Sequence, residues 1–82
     1  MIQVRVEFYS RLKEIVDASV IVLTLPEKTS VKDLFEQLKK RYPRLRDFDK
    51  SVLFGIGVDF VSRDHELKDG DTIAIMPPVQ GG

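Results

Sequence analysis

The sequence contains no cysteine, no tryptophan and no asparagine, and it has a single histidine. Without cysteine there are no disulfides, no thiolate metal sites, and no persulfide or thioester formed on this chain's own sulfur. The longest apolar runs, such as Val20 to Leu23, fall far short of the ~20 residues that cross a bilayer, and no charged start leads into an apolar stretch as in a signal peptide. These features predict a cytoplasmic protein with no membrane partner. An excess of either charge is also missing: 13 Lys and Arg face 13 Asp and Glu. The domain therefore has no overall positive field to neutralise phosphates, which argues against a nucleic-acid partner.

A chain of 82 residues suffices for one domain, and a domain of this size buries only roughly 60–65% of the surface its unfolded chain exposes. Nearly every strongly apolar stretch must then go into one core, leaving little for a deep pocket. Ile2, Val4, Val6 and Phe8 alternate with Gln3, Arg5, Glu7 and Tyr9, the period-2 pattern of a half-buried strand over residues 2–9. Ser10 is positioned to cap a short helix in which Leu12, Ile15 and Val16 share a side. Residues 19–25 are rich in β-branched side chains and close at Pro26, a second strand expected to form a hairpin with the first.

Ser30 followed by Asp33 marks the start of a longer helix, with Val31, Leu34, Phe35 and Leu38 at helical spacing until Tyr42-Pro43. Lys39, Lys40 and Arg41 in its last turn suit the negative end of the helix dipole. Residues 51–57 predict a third strand, in which Gly55 and Gly57 signal a bulge or a close backbone approach, and 58–61 a short edge strand. Leu67-Lys68-Asp69-Gly70-Asp71 is a turn signal leading into a last strand at 72–76. The expected fold is α+β: a mixed sheet of four or five strands, one main helix on one face, and a short second helix. The expected core is Ile2, Val4, Val6, Phe8, Leu34, Phe35, Leu38, Ile73 and Ile75. Ala74 and Met76 alternate with the last two and so point to the wet face, where they are candidate partner-binding residues; Met adapts to more than one partner.

Residues able to do chemistry are few. His65 sits in the polar segment Arg63-Asp64-His65-Glu66, which offers too few ligands to close a metal shell and reads as a solvated loop. Ser10, Ser19, Ser30, Ser51 and Ser62 stand in no Gly-x-Ser-x-Gly elbow, and one histidine supplies no evident triad. Gly55-Ile56-Gly57 lacks the third glycine of a dinucleotide fingerprint. The expectation is no metal and no bound cofactor.

The tail is more informative. Pro77-Pro78-Val79-Gln80-Gly81-Gly82 leaves the last strand through two prolines that end sheet pairing and favour an extended exit, and its last two residues carry no side chain. The domain is accordingly read as residues 1–76, with 77–82 as a flexible functional tail reaching up to roughly 20 Å at ~3.3–3.6 Å per residue. Such a tail can thread a narrow channel, with the Gly82 carboxylate as the working group. A carboxylate must first be activated, as by ATP-driven adenylation, and a glycine carbonyl has no β-carbon to crowd the attack. A bare Gly-Gly end is equally compatible with a frayed, inert terminus.

Two stretches resemble one family. The Leu67-Lys68-Asp69-Gly70-Asp71 turn, the short strand, and Pro77-Pro78-Val79-Gln80-Gly81-Gly82 resemble the C-terminal signature of the small subunit of molybdopterin synthase, the MoaD-type ubiquitin-like sulfur carriers. Phe8-Tyr9-Ser10-Arg11-Leu12-Lys13-Glu14-Ile15 is similar to that family's aromatic strand end and the helix after it. The resemblance implies a β-grasp fold and a cycle. In it Gly82 is adenylated by an activating enzyme that uses ATP, converted to a thiocarboxylate with sulfur from a donor, and inserted into the large synthase subunit of a heterotetramer, where it gives sulfur to cyclic pyranopterin monophosphate. Gly81 and Gly82 fall on the family's diglycine, and Pro77, Pro78, Val79 and Gln80 on the threading tail. Catalytic acids, bases and phosphate-binding cations belong to the partner in that family, so the chain alone is expected to be non-catalytic. Two positions depart from the pattern: Gly57 stands where many relatives have Asn, and Asp17 where a Gly often follows the first helix. Alternatives left open are a carrier for tungsten cofactor, thiamine or cysteine synthesis, a ubiquitin-like protein modifier, and an interaction domain with an inert tail.

Overall fold

The computed structural model describes residues 1–78. Its elements run β1 (Ile2–Phe8), α1 (Arg11–Val16), β2 (Val20–Leu25), α2 (Val31–Arg41), a 3-10 segment (Pro43–Phe48), β3 (Leu53–Ile56), β4 (Asp59–Val61) and β5 (Thr72–Met76). They form one sheet in the order β2-β1-β5-β3-β4. The central pair, β1 and β5, is parallel, with Phe8 opposite Ile75, and every other pairing is antiparallel. The third strand is shorter than residues 51–57 at both ends: Ser51 and Val52 donate to the Phe48 carbonyl instead of joining it, and Gly57 has turned out of it, at φ 62°.

The core lies on one face of this sheet, and all nine residues expected in it are buried. Ile2, Val4, Val6 and Phe8 of β1, Ile73 and Ile75 of β5 and Phe54 of β3 meet Val31, Leu34, Phe35 and Leu38 of α2. The Phe35 and Phe54 rings are 5.5 Å apart and edge-on at 77°, a favoured aromatic geometry. Leu12 and Val16 of α1 close one flank, and Leu25 of β2, Leu45 of the 3-10 segment, Val52 before β3 and Leu67 of the loop before β5 complete the cluster.

Local hydrogen bonding explains why the elements stop and start where they do. Ser30 accepts from the Asp33 N–H at 3.1 Å, as its sequence context predicts. The N–H groups of Val31 and Lys32, which have no partner within the helix, find them in the carbonyls of His65 (2.9 Å) and Arg63 (2.8 Å). The polar segment around His65 thus secures the start of α2. Ser10 precedes α1 but makes no capping bond, and it holds φ 54°, ψ −131°, contrary to the cap expected of it. α1 ends through Asp17 at φ 61°, ψ 37°, with the N–H groups of Asp17 and Ala18 both donating to the Lys13 carbonyl. This is a left-handed helix end, where Gly is preferred. Both departures from the family pattern therefore fall on positive φ, where Gly, Asn and Asp substitute for one another most readily.

The Asp69-Gly70-Asp71 turn does more than reverse the chain. Asp69 accepts from the Gln3 N–H at 2.8 Å, and Gly70, at φ 87°, donates to the Gln3 carbonyl at 2.8 Å. Asp71 accepts from Lys68 N–H at 2.8 Å, and its own carbonyl takes the Arg5 N–H at 2.9 Å. The turn fastens the start of β5 to β1 and so fixes the parallel register.

Of the basic residues in the last turn of α2, Lys39 is engaged structurally. Lys39 pairs with Glu36 and Asp49, each at 2.8 Å, and its ammonium holds the Asp49 carboxyl below the usual carboxylate range. Arg63 donates to the Asp49 carbonyl and lies over the rings of Phe54 and Phe35 at 5.2 and 5.7 Å, roofing the aromatic pair.

Phe35→Ala is expected to cost about 3–5 kcal/mol, because the cavity lies under a helix fixed at both ends; chemical denaturation of the two proteins measures it. Asp17→Gly is expected to stabilise by about 1 kcal/mol through relief of the left-handed backbone, read as a raised midpoint in the same experiment.

Candidate functional site

β5 delivers the chain into the tail, so the site is built around its end. Alternation buries Ile73 and Ile75 and turns Thr72, Ala74 and Met76 to the face opposite α2. The sheet register then places Gly55 beside Ala74, Phe60 beside Gly55, and Leu53 beside Met76. Gly55 lies close under the methionine: a Cβ there would be 3.3 Å from the Met76 methyl and 3.5 Å from the Asp59 carbonyl oxygen, so a side chain would require the methionine to shift slightly. Gly57 makes the turn.

The result is an apolar area on a bare sheet face. Phe60 is 72% exposed and Val58 99%, with Leu53 and Tyr9 also exposed. Together with Ala74 and Met76, both half-buried, the Tyr9, Val58 and Phe60 side chains line a shallow depression of about 210 Å³. A small domain rarely leaves several large apolar side chains contiguous on its surface without a partner. Tyr9 continues the parallel ladder, its N–H donating to the Ile75 carbonyl at 3.2 Å. Its hydroxyl donates to Glu7 at 3.1 Å, and that bond to a carboxylate raises the phenol above its ordinary pKa.

Pro77 and Pro78 are half-buried and share a hollow of about 360 Å³ with Ser10, Arg11 and Phe48. The tail therefore leaves from the end of the sheet where α1 and the 3-10 segment meet. Val79, Gln80, Gly81 and Gly82, the rest of the expected threading segment and its carboxylate, lie outside the described residues. Ala74 and Met76 are where the alternation placed them. Tyr9, Val58 and Phe60, which complete the apolar area, were not singled out in the sequence. Their common position depends on the β3–β4 register, which puts Phe60 opposite Gly55 and turns Val61 inward against Phe54.

Among the described residues, no three His, Asp or Glu side chains gather to hold a metal. The shifted carboxyl and ammonium groups each answer to a near neighbour: Asp49 and Lys39 to one another, Asp64 to Ser62, and Glu66 and Lys68 to one another. The arrangement combines an exposed apolar area with a last strand that runs into Pro77 and Pro78.

Comparison with known proteins agrees with this arrangement. The molybdopterin synthase sulfur carrier subunit of Dictyostelium discoideum is 33% identical over 84 residues, covering 98% of this chain and 96% of that protein. A Pyrococcus furiosus protein assigned as molybdopterin converting factor, subunit 1, superposes with a TM-score of 0.86 at 32% identity, over 96% of this chain and 100% of that one. The small archaeal modifier protein 1 of Methanosarcina acetivorans superposes with a TM-score of 0.80 at 27% identity, over 100% and 98%. The fold is the ubiquitin-like β-grasp that the resemblance implied. Since the sequence model of the ThiS family matches residues 6–82, nearly the whole chain including its final glycines, the chain belongs to the ThiS family of MoaD/ThiS-type proteins.

Proposed function

We propose that the chain is a sulfur carrier in molybdenum cofactor biosynthesis, acting as the small subunit of molybdopterin synthase. The observation that carries this reading is the family match through residue 82 in a domain whose last strand leads from an exposed apolar face into Pro77. The named Dictyostelium relative supports the pathway.

In this mechanism an oxygen of the Gly82 carboxylate attacks the α-phosphorus of ATP on an activating enzyme, and pyrophosphate leaves. A sulfur nucleophile at the oxidation level of hydrosulfide, derived from the donor, then adds to the acyl carbon. AMP departs with one carboxylate oxygen, so the tail gains one sulfur for one oxygen. In the large subunit the thiocarboxylate gives its sulfur to cyclic pyranopterin monophosphate, and water restores the carboxylate; two such transfers make a dithiolene. The chain's own part is positional. Pro77, Pro78, Val79 and Gln80 thread the partner, Gly81 and Gly82 fit a narrow passage, and Ala74 and Met76, with Tyr9 and Phe60, form the docking surface used by each partner in turn. ATP belongs to the activating enzyme, and the carrier needs no resident cofactor.

A second reading, a protein modifier whose Gly82 forms isopeptide bonds, is favoured by the likeness to the Methanosarcina modifier. Lysine-linked conjugates in cell extract would support it, with a pterin role then secondary.

Docking through the open face is checked by Phe60→Ala and Met76→Glu. Each is expected to weaken binding to both the activating enzyme and the large subunit roughly tenfold or more, with little change in thermal midpoint, measured by calorimetry and thermal melting. Binding unchanged for both partners removes the shared surface. The tail is checked by three variants. Deletion of Gly82 and addition of one residue after it are expected to abolish activating-enzyme-dependent pyrophosphate exchange, because a shift of ~3.5 Å exceeds what a nucleophilic step tolerates. Gly81→Val is expected to slow exchange by adding a branched side chain. Sulfur transfer by the Gly82 deletion would exclude the carrier role.

A further inference from the structure

The sheet ends in two unlike edges. β4 has three residues, begins at Asp59, and is followed by Arg63 two residues beyond its end, so it is both short and flanked by charge. β2 has six residues, Val20–Leu25, none charged, and is the terminal strand on the other side. Edge strands in native proteins are usually protected by a lysine, a proline, a bulge or extreme brevity, since unpaired N–H and C=O groups invite another strand. β2 has no such protection before Pro26.

The direction of its free hydrogen-bonding groups follows from the β1–β2 ladder. Phe8 N–H donates to the Ser19 carbonyl at 2.9 Å, making Phe8 and Ser19 a bonded pair. Antiparallel ladders alternate bonded and non-bonded pairs, so Ile21, Leu23 and Leu25, opposite Val6, Val4 and Ile2, direct their bonds to β1. Val20, Val22 and Thr24 therefore direct theirs outward. The same three side chains lie on the open face of the sheet, with Val22 51% and Val20 36% exposed, while Ile21 and Leu23 pack partly against the core.

A second copy of this strand satisfies these groups in one register. Residues opposite each other across an antiparallel pair share a face, so open-face residues must meet open-face residues. A twofold axis through Val22 sets Val22 against Val22 of the other copy, Val20 against Thr24, and Ile21 against Leu23. The three residues with outward bonds then meet only one another, giving three bonded pairs, and no charge is brought into the contact. Shifting the register by two residues keeps the faces matched but leaves two bonded pairs in place of three. We propose that the chain forms a reversible dimer by antiparallel β2–β2 pairing centred on Val22, joining two five-stranded sheets into one.

One six-residue strand per copy is a small contact, at or below the roughly 1,200 Å² of the weakest specific interfaces, so the dimer forms at high protein concentration and dissociates on dilution. The apolar area around Phe60 and Met76 stays open, because β1 lies between it and the new contact. The twofold axis is perpendicular to the sheet, so the two β5 strands run in opposite directions and the two tails leave from opposite ends. The pairing is independent of what the tail carries.

Sedimentation equilibrium of the full chain tests this over a concentration series up to ~1 mM, the range of weak association. The expected result is a mass rising from the monomer's 9.4 kDa towards twice that value. Val22→Lys, which sets two ammonium groups together at the axis, is expected to remain monomeric at every concentration, and Phe60→Glu to dimerise like the unaltered chain. Amide hydrogen exchange of the unaltered protein gives a second readout that needs no variant: the Val20, Val22 and Thr24 amides are expected to gain protection with concentration, those of Ile21 and Leu23 to stay unchanged. A monomer at all concentrations, dimerisation of Val22→Lys, loss of the dimer in Phe60→Glu, or concentration-independent exchange at Val22 would each overturn the proposal.

Discussion

The packing of Leu34, Phe35 and Leu38 onto the inner face of β1, β5 and β3 is the interaction on which the rest of the molecule depends. A chain of 82 residues carries one long amphipathic helix, and one helix covers one face of a sheet. The consequence is a domain with a dry side and a bare side. The bare side carries the apolar area, and the strand that runs along its middle, β5, is also the one that leads into Pro77. Core formation and presentation of the tail are thus two results of the same packing.

The parallel β1–β5 pair at the centre makes this geometry durable. Ile73, Ala74 and Ile75 of β5 pair with both β1 and β3, Thr72 with β1 and Met76 with β3, and the Asp69-Gly70-Asp71 turn ties the start of the strand to Gln3 and Arg5. A pull on the tail is therefore borne by the middle of the sheet rather than by a frayed edge. Ser10, with its positive φ, and the half-buried Pro77 and Pro78 lie where that strand ends. In the proposed function the domain offers shape and apolar surface, and activation of the carboxylate falls to its partners.

Much of this was readable from the residues, and the exceptions have physical causes. β1 and α2 announce themselves because periodicity of 2 and of 3.6 is what one-sided burial imposes, and Ser30 with Asp33 marks a helix start by a bond that the structure contains. The 3-10 segment Pro43–Phe48 was not anticipated, since Tyr42-Pro43 ended the helix pattern and six residues with i, i+3 apolar positions, Leu45 and Phe48, give too short a period to register. Ser10 failed as a cap because its backbone adopts a conformation that sequence patterns do not encode. Asp17 and Gly57, the two departures from the family pattern, stand at turn or strand-end positions, and both sit at positive φ. The apolar area was half visible: Ala74 and Met76 follow from alternation within one strand, whereas Tyr9 and Phe60 join them only through pairings between strands distant in sequence.

In the proposed function this domain presents the Gly82 carboxylate for conversion into a sulfur donor. Intact-mass measurement of the full chain after incubation with its activating enzyme, ATP and a sulfur donor is the decisive experiment. The expected result is a mass increase equal to the exchange of one oxygen for one sulfur, confined to Gly82 by fragmentation and dependent on ATP. An unchanged mass with an enzyme that charges another member of the family, or sulfur placed anywhere other than Gly82, would refute that function.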